Sequence, residues 1–311
     1  MVIFDDFKNI KKYYKNKEFI IIDENVYKLY KDKLDIDKDR IVVIKPGENS
    51  KSIETYYNTM KLLLSKNIKR NDLIITIGGG VVGDLGGFIS STILRGIKYI
   101  QVPTSLLAMV DSSIGGKTAI NILNKNDCGS FYEPFNTYID INFLKTLPQE
   151  EYENGLAEVI KYGLINDYEI INYLKNNDKL NLDIIKICIN IKLDYIKKDF
   201  HEENIRKYLN FGHTFGHVIE FEYHIKHGLA ISQGFLYALK FNNQIDLLNE
   251  IKNILIKFNL YEPYKLNIDK MIYDKKNDEF INLVLLKEIN KPYLYKTNIK
   301  EIKDKLNNII L

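Results

Sequence analysis

The sequence is poor in the features that mark several protein classes. It has two cysteines in 311 residues, Cys128 and Cys188. They lack the spacing of a metal-binding or redox pair and could close at most one bridge. No disulfide framework supports the fold, and both are expected as free thiols in a reducing cytosol. No stretch reaches the roughly 18 apolar residues of a membrane-spanning helix, so no membrane partner is expected. The opening MVIFDDFKNIKKYYKNKEF sets acids beside its first apolar residues and has no long apolar core or small-residue cleavage site. It does not read as a secretory signal. Charge of either sign is also lacking in excess: 44 basic against 41 acidic residues leave a net +3. That balance gives no expectation of nucleic-acid binding, yet allows local basic clusters around an anionic small molecule. No repeat recurs at solenoid or propeller periods.

What is present first is alternation. The runs EFIIID (18–23), RIVVIK (40–45), DLIITIG (72–78) and KYIQVP (98–103) are short, β-branched and bounded by polar or Gly/Pro residues, which predicts buried strands. Helix-periodic stretches lie between them, as at Ser52–Leu64 after the PGENS turn. Strand–helix alternation with continuous apolar strands predicts an α/β fold, a Rossmann-like parallel-sheet domain. Beyond Asp140 the pattern changes to long helical segments at Glu150–Tyr162, Asp183–Lys198, Asn210–Glu222 and Gly228–Leu248, Pro148 opening the first. The expected organisation is an N-terminal α/β domain over residues 1–145 and a mostly α-helical domain over 146–311, with a cleft between them.

Residues 73–87, LIITIGGGVVGDLGG, run a strand through Gly78-Gly79-Gly80 into a helix. Glycine there lets backbone approach a pyrophosphate, and the helix start offers free N–H groups. The motif departs from GxGxxG spacing, and such a turn is about as often only a tight turn. Pro46-Gly47-Glu48 with Lys51 follows an earlier strand and offers an acid for ribose hydroxyls. Pro103-Thr104-Ser105 brings hydroxyls to the carboxyl edge of the sheet, where nucleotides bind by default.

Four of five histidines fall between 213 and 227. His213 and His217, at i and i+4, share a helix face; His224 and His227 follow. Together with a helix-borne acid in GLAEVIKYG, the cluster suits a catalytic zinc with three protein ligands, although each imidazole alone is more simply a hydrogen-bonded interface residue. Asp111-Ser112-Ser113-Ile114-Gly115-Gly116-Lys117 makes a small, hydroxyl-rich turn suited to an oxyanion or phosphate. The residues by themselves point to an NAD-and-metal enzyme acting on a phosphorylated polyol.

The strings GGGVVGDLGGF, LRGIKYIQVPTSLLAMVDSSIGGKTAIN, LPQEEYENGLAEVIKYG, RKYLNFGHTFGH and DKKN, in this order, resemble the 3-dehydroquinate synthase family over roughly residues 20 to 290. The resemblance implies metal ligation by Glu158, His213 and His227, usually of zinc, with cobalt or another divalent metal as alternatives. It implies NAD contacts from Asp23, Glu48, Lys51, Gly79, Gly80, Asp84, Thr104, Ser105 and Lys125. Asp111, Lys117, Lys161, Lys192 and Arg206 match substrate positions, Arg206 as the carboxylate partner. Asn126, Asn210, His217 and one of Lys275 and Lys276 match a phosphate pocket. Among these, Lys161, Lys117, Asp111 and His217 are the expected catalytic groups. Arg95 matches an arginine that reaches the neighbouring subunit of a homodimer.

The implied reaction turns 3-deoxy-D-arabino-heptulosonate 7-phosphate into 3-dehydroquinate and phosphate. It runs through transient oxidation by NAD, phosphate elimination, re-reduction and aldol closure, in the cytoplasm, as a step towards aromatic amino acids. A 2-deoxy-scyllo-inosose synthase-like cyclase and a polyol dehydrogenase are the alternatives. Two departures stand out: the stretch from Lys117 to Asn126 is one residue short, and Leu229 replaces the family's usual glutamate after His-Gly.

Overall fold

Each of the four apolar runs forms a strand, and the runs pair side by side; three are buried on both faces, while Val43 of the edge run is 42% exposed. The computed structural model describes residues 1–13, 18–272, 280–306 and 309–311. It divides into two compact units, Met1–Pro148 and Gln149–Leu311. The first unit contains strands β1 (Val2–Phe4), β2 (Phe19–Asp23), β3 (Ile41–Ile44), β4 (Ile74–Gly78), β5 (Tyr99–Pro103), β6 (Lys117–Ile120), β7 (Cys128–Phe131) and β8 (Asn136–Ile139). Helices α1 (Glu24–Tyr30), α2 (Ile53–Ser65) and α3 (Gly80–Thr92) alternate with them. Six strands form one sheet in the order β1-β8-β5-β4-β2-β3, and all its pairings are parallel. Ile20, Ile21, Ile22, Ile74, Ile75 and Ile77 are at most 1% exposed, as a two-sided parallel sheet requires.

Register sets what meets at the carboxyl edge. Gly78 lies opposite Pro103, and Thr104 N–H donates to the Gly78 carbonyl at 2.9 Å. The glycine turn and the Pro-Thr-Ser turn therefore emerge together. Helix α3 presses onto the sheet through glycine: a Cβ on Gly83 would overlap the Gln101 side chain, and one on Gly86 the Thr76 methyl. The antiparallel hairpin β6–β7 carries Lys117 at its start. The edge strand β1 and its neighbour β8 were not among the expected ones.

The second unit is mostly helical: α4 (Gln149–Ile165), α5 (Glu169–Asn176), α6 (Leu182–Lys198), α7 (His213–Tyr223), α8 (His227–Phe241), α9 (Ile245–Lys257) and α10 (Ile299–Leu306), with the antiparallel pair β9 (Ile281–Leu286) and β10 (Pro292–Thr297). Two expected helix bounds change. Residues 205–210 form a separate 3-10 turn, because Gly212 turns left-handed (φ 77°) before α7 begins. The single helix expected over 228–248 is broken at Asn242–Gln244, where Asn243 takes φ 57°, a conformation asparagine tolerates better than most residues.

Candidate functional site

In the helical unit, three segments remote in sequence converge because glycines remove the side chains that would separate them. Helices α7 and α8 pack together, and a Cβ on Gly234 would overlap the Gly212 carbonyl. Helix α8 also packs on α4, with Gly228 against the Asn154 backbone. Asn154 Oδ1 accepts the Gly228 N–H at 2.6 Å, so a side chain of α4 satisfies one of the free donors at the start of α8. Lys226, just ahead of that helix, pairs with Glu151 at 2.6 Å and Glu150 at 3.0 Å. These contacts fix His227 over α4.

The result is a tight donor cluster. Glu158 Oε1 lies 3.5 Å from His213 Nε2 and 3.8 Å from His227 Nε2. One ligand atom from each of the three residues falls within 4.8 Å of the others. Zinc bonds of about 2.0–2.2 Å in tetrahedral geometry separate ligand atoms by about 3.4 Å, so the set needs little closure to hold an ion. The other atoms of the ligands are held in turn. Lys161 Nζ is bonded to Glu158 Oε2, both side chains being at most 2% exposed. The Phe211 carbonyl lies 3.1 Å from His213 Nδ1, which places the proton there and leaves Nε2 as the lone pair. Glu220 Oε2 lies 2.9 Å from His227 Nδ1.

The electrostatics separate the two imidazoles. Burial, reinforced by the Lys161 charge, holds His213 down to about 3, well below an ordinary imidazole. His213 is thus neutral and ligand-ready. Burial alone would lower His227 too, but the carboxylates of Glu158 and Glu220 outweigh it and raise it to about 9. His217 sits one turn beyond His213, its ring 5.3 Å from His213 and 5.9 Å from His227; it is exposed.

The remaining expected residues of this unit lie around α4. Lys192 is buried on α6, and Arg206 is 1% exposed in the 205–210 turn; both elements pack on α4. Arg206 donates to the Phe200 carbonyl, and its own N–H to Asp199 at 3.0 Å. Asn210 Nδ2 donates to Glu202 at 2.8 Å. Lys275 and Lys276 lie outside the described residues.

The first unit carries a second polar group. Lys51 Nζ, 3% exposed as a residue, donates to Asp84 Oδ2 at 2.5 Å and to Asn126 Oδ1, and lies 3.9 Å from Glu48. Asn121 ties the group together: its Nδ2 donates to Glu48 at 2.9 Å and its Oδ1 accepts Asn126 N–H at 2.8 Å. Asn126, expected in the phosphate pocket, thus stands with Lys51 and Asp84. Asp23 ends β2 and caps α1, accepting Asn25 N–H at 2.8 Å. Lys125 is exposed beside Asn126.

The glycine turn fits a close-lying ligand backbone. A Cβ at Gly79 would stand 3.3 Å from Ser105 Oγ, and one at Gly80 3.2 Å from Ser112 Oγ. Helix α3 opens without a side-chain cap. Ser112 Oγ has no hydrogen-bond partner among the described residues. Asp111 and Ser112 belong to a π-helical turn, Ala108–Ser112, a form frequent at functional sites. Leu94, Arg95 and Gly96 are all left-handed, with φ of 49°, 66° and 109°. For Leu94 and Arg95 this is a strained conformation of about 1–3 kcal/mol each.

Glu220, Asn154 and Asn121 were not singled out from the sequence. Only Glu220 had a signal: it follows His213 by seven residues and His217 by three, on the same helix face.

Residues 41–154 match the family model for the 3-dehydroquinate synthase N-terminal region and 155–287 the model for its C-terminal region. The chain belongs to the 3-dehydroquinate synthase family. It is 41% identical to a 3-dehydroquinate synthase of Clostridium tetani over 93% of this chain and 83% of that protein. It is 42% identical to one of Clostridium botulinum over 94% and 92%, and 40% identical to one of Staphylococcus epidermidis over 91% and 88%. Two solved structures share the fold. One is 2-epi-5-epi-valiolone synthase from Streptomyces hygroscopicus with NAD+ and Zn2+ bound, at TM-score 0.88 and 22% identity, covering 98% of this chain and 95% of that one. The other is a 2-deoxy-scyllo-inosose synthase complexed with carbaglucose-6-phosphate, NAD+ and Co2+, at TM-score 0.79 and 24% identity, covering 97% and 95%. Among the described residues no helix is long and apolar enough to cross a membrane.

Proposed function

We propose that this member of the 3-dehydroquinate synthase family closes the carbocycle of 3-dehydroquinate from 3-deoxy-D-arabino-heptulosonate 7-phosphate, releasing phosphate. The observation that carries the reading is the Glu158–His213–His227 donor set, assembled from three segments of a chain about 41% identical to 3-dehydroquinate synthases. When bound, NAD removes a hydride from a substrate carbinol and returns it, while a divalent metal polarises the substrate's hydroxyl oxygens. Glu158, His213 and His227 hold that metal, which we assign as zinc; one carboxylate and two imidazoles leave room for substrate oxygens.

The chain's own residues do the rest. Gly79 and Gly80 admit the cofactor pyrophosphate to the start of α3, with Thr104 and Ser105 beside them. Asp23, Glu48, Lys51, Asp84 and Lys125 contact the remainder, Lys51 and Asp84 fixing one another. Lys161 holds Glu158 Oε2 and so aims Oε1 at the imidazoles. Arg206 and Lys192 take the substrate carboxylate, for which a guanidinium offers a two-pronged match. Asp111 and Lys117 take its hydroxyls. Asn210, His217 and one of Lys275 and Lys276 receive the phosphate, the sequence having added Asn126 to that set. Residues 1–145 form the NAD-binding domain and 146–311 the metal- and substrate-binding domain. The enzyme is a cytoplasmic homodimer in which strained Arg95 reaches the partner.

Incubation with the heptulosonate phosphate, zinc and substoichiometric NAD tests this. Phosphate should appear one for one with the carbocycle over many turnovers, without net NADH. Steady NADH accumulation without phosphate release would establish a polyol dehydrogenase instead.

A further inference from the structure

His227 belongs to two donor sets at once. The inner set is Glu158, His213 and His227; the outer is His217, Glu220 and His227, and in each one ligand atom per residue lies within 4.8 Å of the others. The carboxylates of the two sets face opposite edges of its ring. Nε2 faces Glu158 at 3.8 Å, while Nδ1 faces Glu220 at 2.9 Å. To ligate a metal His227 must shed its second proton and become the neutral imidazole, with one N–H and one lone pair, so it serves one set only by presenting its N–H to the other. We infer that Glu220 is a positioning residue that selects the inner set: by accepting the Nδ1 proton it fixes the tautomer and plane of His227, leaving Nε2 as the metal-binding lone pair.

Three further features favour this direction. The Glu220 contact is a close hydrogen bond, the shorter of the two His227 carboxylate contacts. His213 is set the same way, with Nδ1 on the Phe211 carbonyl and Nε2 inward. The inner set is also the drier: Glu158 is 1% exposed, whereas His217 is open to solvent. Leu229, where the family has a glutamate, leaves the contact intact, because the carboxylate comes from α7. Outer partners of ligating histidines are typically worth 10–100-fold in metal affinity.

The inference rests on the zinc centre proposed above, and the test separates the two. Zinc affinity of the full chain is measured by competition with a chromophoric chelator for the unaltered protein, Glu220→Ala, Glu220→Gln and Glu220→Asp. Alongside it, the absorption spectrum of the cobalt-loaded forms is recorded. Glu220→Ala should bind one zinc 10–100-fold more weakly and shift the cobalt bands, while melting of the metal-free protein stays close to that of the unaltered chain. Glu220→Asp should recover part of the affinity. Should the alanine variant not fold, Glu220→Gln, nearly identical in shape, carries the comparison. Affinity within threefold of the unaltered protein in both Ala and Gln variants would overturn the inference. So would loss of a second, weaker zinc with the first unchanged, since that makes Glu220 a ligand of the outer set. Failure of the unaltered protein to bind zinc would instead sink the metal centre itself.

Discussion

Gly228→Ala isolates the packing that assembles the metal ligands from the ligands themselves. In a helix this change ordinarily stabilises, by about 0.5–1 kcal/mol, because alanine loses less backbone freedom than glycine. Here the new methyl would overlap the Asn154 carbonyl and stand 2.7 Å from Asn154 Cα. Those atoms are backbone of a helix whose following turns are buried, so no side chain can swing away. Overpacking costs about 1–3 kcal/mol and outweighs the propensity gain, leaving a net loss of about 1–2 kcal/mol. For a protein of this size that lowers the melting midpoint by roughly 1.5–3 °C. The relaxation available is for the start of α8 to retreat from α4, lengthening the Asn154–Gly228 hydrogen bond and widening the 3.8 Å separation of Glu158 and His227. Zinc affinity should then fall on the order of tenfold, since the ligand separation departs further from the roughly 3.4 Å of a tetrahedral site. Differential scanning calorimetry of the metal-free protein and chelator competition give the two numbers. A variant as stable as the parent, binding zinc as tightly, would refute the claim that glycine at 228 brings His227 to α4.

Replacing Glu158, His213 or His227 with Ala should remove zinc and turnover together, whereas His217→Ala should keep zinc and weaken phosphate binding; elemental analysis and inhibition by inorganic phosphate distinguish them. Lys51→Met removes the ammonium that holds Asp84, Asn126 and Glu48 and should weaken NAD at least tenfold in a fluorescence titration while zinc content is unchanged. Cys188 is 0% exposed, and burial pushes its thiol far above the usual range, so at pH 8 a disulfide reagent should label only Cys128 until the protein is unfolded; rapid labelling of both in the native state would contradict that burial. For the dimer, mixing inactive Arg95→Ala with inactive Lys161→Ala protein should restore activity through hybrid pairs, and a fully active monomer in sedimentation would rule out the cross-subunit arginine.

The sequence alone determined the features that depend on near neighbours along the chain. The runs around Ile20–Ile22 and Ile74–Ile77 announce strands because buried parallel strands are apolar on both faces. The glycine turn at 78–80 announces a helix start, and the spacing of His213 and His217 announces one helix face. Those relations are set by 2.0- and 3.6-residue periods, so composition over a few residues suffices. Strands β1 and β8 were hidden because β1 has only three residues and β8, NTYI, carries little apolar signal although it is buried. The break at Asn243 was hidden because Phe241, Ile245 and Leu248 keep helical spacing on either side of the polar Asn242–Gln244 run. Tertiary structure decided which groups meet: Glu158 with His227, 69 positions apart in the sequence, Lys51 with Asn126, and Glu220 with the far nitrogen of His227. These contacts follow from how closely two helix backbones or a hairpin and a helix can approach. That distance is fixed by the shape of both partners together, through Gly228 against Asn154 and Gly234 against Gly212, and no local pattern of either segment contains it.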